Sequence, residues 1–239
     1  MNGEGGTGGP PGTDAMSVIG EAFAPLAGRR LLDIGCGSGA LTRSLSERGA
    51  RVAGIDPNPE ALETAREAVP EGTFQAARAE ALPFADASFD GAIFLNSLHH
   101  VPQPAMHRAL REAARVVGPA EPIVVVEPLA EGTLFLALRP VEDETEVRNA
   151  AQEVIRQALE DEKFEQLKRA DYLRRERFEG IEECLAHVVA VDPARATTVE
   201  ERRAEVEAAF GCHARVDEDG GMTLEQPMRA LVLRTKPRT

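Results

Sequence analysis

The chain has 239 residues and a mass of 25.7 kDa, enough for one large domain or two small ones. Lysine and arginine number 27 against 40 aspartates and glutamates, a formal charge of −13. So acidic a surface repels phosphate backbones and anionic lipid heads, which argues against a nucleic-acid binder or a membrane-surface protein. Hydrophobic residues make up 43% and aromatics only 4%, so the core has to be built from Ala, Leu and Val.

Residues 1–13 hold six glycines and two prolines and show no periodicity, the composition of a disordered tail. They have neither the basic start nor the apolar run of a signal peptide. No apolar stretch approaches the ~20 residues of a spanning helix. Cys36, Cys184 and Cys212 are odd in number and far apart, so neither a disulfide framework nor a zinc ribbon is expected, and no metal site is predicted. These features describe a soluble cytoplasmic protein.

A helical pattern opens at Asp14–Leu26. Apolar runs then alternate with helical ones: Leu31–Ile34, Arg51–Ile55, Phe74–Ala77, Gly91–Leu95 and Pro122–Val126 read as strands, and Gly39–Arg48, Pro59–Val69 and Pro104–Val117 as helices. Strands apolar on both faces predict a parallel sheet covered on both sides. Asn58-Pro59 reads as an N-cap followed by proline at the first helical position. Beyond Pro128 the alternation stops. Residues 142–210 read as mostly helical, and the basic run 168–177 as a solvated helix face or a contact for an acidic substrate or RNA. Cys212–Val216 and Met228–Arg234 read as a closing antiparallel pair. The expected fold is α/β, a Rossmann-like doubly wound, mostly parallel seven-stranded sheet with an antiparallel last strand and a helical insertion at about 130–210 after the fifth strand. Residues 14–239 are expected to form a single domain.

The segment Asp33-Ile34-Gly35-Cys36-Gly37-Ser38-Gly39-Ala40 carries the chemistry. A buried strand runs into a glycine turn that opens a helix, and glycines let a ligand approach the backbone closely. Gly35-x-Gly37-x-x-Ala40 also satisfies a dinucleotide pattern, and Asp56 lies 21 positions after Gly35, where an acid bonds ribose hydroxyls. This pattern leaves a nicotinamide cofactor and an adenosyl ligand both open. Asp33 inside the turn would face a pyrophosphate badly but could hold an ammonium group or orient the loop.

With Ala79-Glu80-Ala81-Leu82-Pro83-Phe84 after the third strand and Asn96-Ser97-Leu98-His99-His100-Val101 after the fourth, residues 28–128 resemble the class I S-adenosylmethionine-dependent methyltransferases with a type 11 core. The resemblance implies S-adenosylmethionine as cofactor and a small-molecule acceptor, with no nucleic-acid or membrane partner. It implies that Asp33, Gly35 and Gly37 surround the methionine moiety, with Cys36 and Gly39 completing the loop. Asp56 would bind the ribose, with Pro57 beside the adenine, and Ala79 and Glu80 would lie at the adenine edge. Asn96 would lie near the methionine chain and the donor methyl. Two departures stand out: Arg78 where the family often has Asp, and Gly118-Pro119-Ala120-Glu121 where it commonly has Lys-Pro-Gly-Gly.

Methyl transfer from a sulfonium needs positioning and a dry pocket more than acid–base groups. His99 and His100 are the candidate bases, or else a turn in which one packs and the other meets solvent. Cys36 reads as a small filler. His107, His187 and His213 read as structural. Leu134–Arg139 lines an acceptor pocket or is core, and acceptor specificity is expected from residues 130–190. A nicotinamide oxidoreductase and a non-catalytic regulatory subunit are the competing readings.

Overall fold

Asp14 starts the first helix with a reciprocal cap: its carboxylate accepts the Ser17 amide at 2.7 Å, and Ser17 Oγ accepts the Asp14 amide at 2.9 Å. This computed structural model describes residues 12–161 and 163–236; the predicted disordered tail lies almost wholly outside them. Among the described residues no helix is long and apolar enough to cross a membrane. Two compact units divide the chain, a larger one of residues 12–127, 150–161, 163–171 and 229–236, and a smaller one of 128–149 and 172–228.

In the larger unit, α1 (Ala15–Ala22) precedes β1 (Arg30–Ile34), α2 (Ala40–Ser46), β2 (Arg51–Asp56), α3 (Pro59–Ala68), β3 (Thr73–Ala76), β4 (Gly91–Leu95), α4 (Gln103–Val117) and β5 (Ile123–Pro128). Asn58 Oδ1 caps α3 by accepting the Glu60 amide, with Pro59 next, as predicted. The five strands pair in parallel: Leu32 stands opposite Ala53 of β2 and Ala92 of β4, and Phe94 opposite Val125. The sheet order is β3-β2-β1-β4-β5-β8-β6, where β6 is Phe164–Phe178 and β8 is Met222–Thr235. The chain steps outward from β1 to β3 and then crosses back to β4. The order therefore reverses between β1 and β4, the kind of switch point at which open α/β sheets bind ligands.

Burial explains the layering. β5 is buried along its whole length, and β1 and β4 nearly so. The amphipathic α4 buries Met106, Ala109, Leu110, Ala113, Val116 and Val117 at three- and four-residue spacing. Each large aliphatic side chain so buried stabilises the fold by about 1.5–3 kcal/mol. The irregular stretch after β3 is tied to α4 by two side chains. Arg115 of α4 donates to the carbonyls of Leu82 (3.0 Å) and Phe84 (2.7 Å), to Asp86 and to Glu112, while Glu112 accepts the Leu82 amide.

The smaller unit contains α5 (Thr133–Leu138), the start of α6 (Thr145–Glu160), α7 (Ile181–Val191), α8 (Ala196–Glu201), α9 (Arg203–His213) and the two-residue β7 (Arg215–Val216), which pairs antiparallel with β8. Leu134, Ala137, Phe178, Cys184, Phe210 and Leu224 form one of its core clusters, and Leu185, Val188, Val199 and Val206 another. Within Leu134–Arg139, therefore, Leu134 and Ala137 are core residues, while Arg139 points to Asp143 at 2.8 Å.

The α/β, mostly parallel sheet is as expected, but the insertion is not purely helical, and the sheet has an eighth strand in β7. Residues 164–178, read as helical and including the basic face 168–177, form the long strand β6. Phe164, Leu167 and Ala170 recur at a near-helical period, and the Arg, Lys and Glu between them favour helices in isolation. Pairing with β8 overrides that preference: Arg229 binds Asp171 (2.9 Å) and Arg234 binds Glu165 (2.7 Å) across the ladder. The closing strands are displaced too. Cys212 belongs to α9, and β8 begins at Met222, six residues before the predicted Met228.

Candidate functional site

The glycine turn is fixed from β2. The amides of Gly35 and Cys36 both donate to the Ile55 carbonyl (2.8 and 2.9 Å), and the Gly37 amide donates to Asp56 Oδ2 at 3.0 Å. Asp56 Oδ1 accepts the Asn58 amide at 2.8 Å, so one carboxylate organises both the turn and the start of α3. Gly35, Gly37 and Gly39 all have positive φ, as a turn this tight requires. Their surroundings differ. A Cβ on Gly35 would lie 2.5 Å from Ser97 Cβ, and one on Gly39 3.1 Å from Ala65 Cβ. A Cβ on Gly37 would meet nothing within 4 Å. Two of the glycines thus serve close packing, and the third faces open space.

Asp33 is 1% exposed and accepts the Thr42 hydroxyl at 2.8 Å. Burial raises its pKa to about 7; the Thr42 hydrogen bonds oppose the shift and the Asp56 charge adds to it. Cys36 is also buried, and its thiol pKa is pushed up by that burial. A thiol so desolvated is a poor nucleophile, which supports its reading as a filler.

Asn96 ends β4 at the reversal point. Its amide donates to the Val126 carbonyl at 2.8 Å, its φ is +54°, and its Oδ1 is buried with no hydrogen-bond partner among the described residues. Next to it, Ser97 Oγ donates to the Ile34 carbonyl at 2.6 Å, tying the end of β1 to the turn after β4. That turn is a single 3-10 turn, Leu98–His100. His99 is buried, and its Nδ1 meets Glu127 Oε2. Glu127 Oε1 accepts the amides of Ser97 (3.1 Å) and Leu98 (2.8 Å). His100 is exposed, with its ring centroid 4.0 Å from that of His99. The site thus brings together Asp33, Gly35, Cys36, Gly37, Gly39 and Asp56 on one side and Asn96, His99 and His100 on the other, joined through Ser97.

Pro57 is exposed beside Asp56, and the Ala77 amide donates to the Asp56 carbonyl at 3.3 Å. Beyond it, Ala79 is buried in the main core cluster, and Glu80 faces Arg78 at 3.5 Å. Arg78 points outward, with its side chain 69% exposed. Among the described residues no hydrogen bond or ion pair joins Ala79 or Glu80 to the glycine turn. Of the remaining histidines, His107 bonds Gln157 at 2.9 Å and His187 lies 3.5 Å from Glu176.

Glu127, Ser97 and Thr42 are absent from the sequence-based site. Only Glu127 left a signal, as an acid ending the otherwise apolar run Ile-Val-Val-Val.

Comparison with known proteins bears on this geometry. Residues 32–124 match the methyltransferase domain family. The chain is 43% identical over 95 residues to an uncharacterized methyltransferase of Mycobacterium bovis, covering 40% of this chain and 38% of that protein. It is 36% identical over 114 residues to a ubiquinone biosynthesis O-methyltransferase of Alkalilimnicola ehrlichii, covering 46% and 45%. Each match thus spans less than half of the relative's length. Over nearly the whole chain, the fold is similar to an S-adenosylmethionine-dependent methyltransferase structure from Methanosarcina mazei, with a TM-score of 0.55, 21% identity and coverage of 92% and 98%. The match favours neither the nicotinamide reading nor the regulatory-subunit reading.

Proposed function

We propose that the protein is an S-adenosylmethionine-dependent methyltransferase of the cytoplasm acting on a small-molecule acceptor. The observation that carries this reading is Gly37, whose missing side chain leaves open space over a turn that Asp56 pins from the neighbouring strand. The orphaned Asn96 Oδ1 across the reversal point supports it. A buried acceptor without a partner costs about 1–3 kcal/mol, which a donor group on a bound ligand would recover.

On this reading the glycine turn from Gly35 to Gly39 takes the methionine moiety, with Asp33 and Cys36 behind it. Asp56 takes the ribose hydroxyls, with Pro57 beside the adenine and Ala79 and Glu80 at its edge, and Asn96 lies along the methionine chain. Each Asp56 oxygen already accepts one amide, and its second lone pair suits a hydroxyl. Bound there, the sulfonium supplies an already activated methyl group. Glu127 holds the Nδ1 edge of His99 and so fixes the orientation of the ring. An acceptor that must lose a proton would find its base there or at His100. The charge of −13 supports a small molecule over a nucleic acid. The relative named for O-methylation makes hydroxyl compounds the first acceptors to try.

Thermal shift with S-adenosylmethionine, S-adenosylhomocysteine, NAD and NADP tests the donor half. The two adenosyl ligands should stabilise the fold and the nicotinamides should not; stabilisation by NAD alone overturns the proposal. Transfer of a labelled methyl group to a hydroxyl library tests the rest.

A further inference from the structure

Strand β6 ends the sheet order, and its segment 164–171, in the larger unit, has β8 as its sheet neighbour. An edge strand presents a row of backbone donors and acceptors to any strand that arrives. At the middle of this segment stands Leu167, 48% exposed. On the same face, two and four residues away, lie Glu165 and Arg169, then Lys163 and Asp171. Read in order, the face is positive, negative, apolar, positive, negative. Reversed, it is negative, positive, apolar, negative, positive.

We propose that the chain self-associates through this edge, a second copy adding its β6 antiparallel with Leu167 of both chains on the two-fold axis. In that register Glu165 stands opposite Arg169 of the second copy, Lys163 opposite Asp171, and Leu167 opposite Leu167. Every pair is complementary, and each charged pair occurs twice by symmetry. Charged side chains ordinarily protect an edge from pairing. Here their order favours this arrangement over the registers one or two residues away. Centring on residue 165 or 169 sets Glu165 or Arg169 against itself. Centring on 166 sets Lys163 against Arg169, and centring on 168 sets Lys168 against itself. Glu165 keeps Arg234 of β8 on its inner side and gains a cation on the outer one, while Asp171, already paired with Arg229 and with Arg169 of its own strand, takes Lys163 of the second copy as a further cation.

Sedimentation velocity on the full chain, from micromolar to near-millimolar concentration, tests this. The wild type should show a concentration-dependent dimer that weakens with salt. Arg169→Glu, which sets two acids opposite each other, should weaken association by about tenfold or more. Glu165→Arg combined with Arg169→Glu should restore it. Leu167→Lys, at an exposed position that folding does not need, should abolish the dimer. The proposal is overturned by a wild type that stays monomeric throughout. It is equally overturned if folded Leu167→Lys or Arg169→Glu associates like the wild type, or if the folded double variant fails to recover.

Discussion

The Glu127 carboxylate and the His99 imidazole meet at the carboxyl ends of β5 and β4, each almost wholly removed from solvent. One oxygen of Glu127 is committed to the ring and the other to two consecutive amides, so a single side chain sets both the histidine and the turn that carries it.

Removing that carboxylate should therefore do more than lose one contact. Breaking a buried pair from one side costs about 3–5 kcal/mol. Glu127→Leu should lower stability by about that much in urea denaturation, and Glu127→Gln, which still accepts the amides, by clearly less. Equal losses would show that the turn amides contribute little. Glu127→Gln should also alter the pH profile of methyl transfer, if His99 is the base, more than it alters donor affinity.

Gly35 and Gly37 should respond in opposite ways to the same added methyl group. Gly35→Ala drives a Cβ to 2.5 Å from Ser97 and should damage the fold. Gly37→Ala has room and should cost only about 1 kcal/mol for its positive φ. It should nonetheless cut S-adenosylmethionine affinity sharply in calorimetry. Full donor binding by Gly37→Ala would remove that space from the site.

Asp56→Ala should weaken the donor by about 10- to 150-fold, the loss of a charge-assisted bond of about 1.5–3 kcal/mol. The Gly37 and Asn58 amides lose their acceptor as well, so circular dichroism must accompany the titration. Asp56→Asn keeps one carbonyl oxygen and should fall between the two. An unchanged dissociation constant in folded Asp56→Ala would take the residue out of the ribose role.

Asp33 makes a prediction about pH. Its folded pKa of about 7 lies above the ordinary carboxylate value, so the folded state holds a proton that the unfolded chain has lost. Stability from this group therefore falls as pH rises from about 4 to about 7 and levels off beyond, by a few kcal/mol at most. Asp33→Asn keeps an acceptor for Thr42 without the charge. It should gain stability on the wild type at about pH 8 and lose that advantage at about pH 5. Parallel urea curves at the two pH values decide this, and an advantage independent of pH would contradict the buried ionisation.

The five parallel strands were legible because each is apolar on both faces and closed by turn residues, and the glycine turn because three glycines follow a buried strand. β6 was not legible. Its partners on β8 lie 58 and 69 residues away, and no local window contains them. Asp33 was legible as a member of the turn, but its enclosure was not, since that depends on Thr42 nine residues on. That Asp56 holds the glycine turn shows only once β1 and β2 lie side by side.

The stretch from Leu82 to Asp86 has no repeating backbone pattern, yet one planar side chain, that of Arg115, links it to α4 through two of its carbonyls. A segment tied in this way resists proteases while the Arg115 fork holds its carbonyls, and is cut more readily once that fork is gone. Lysine, with a point charge in place of a fork, cannot span both carbonyls and both acids together. Arg115→Lys should thus create a cleavage site in a chain whose secondary structure is otherwise unchanged, and limited digestion would find it between β3 and β4.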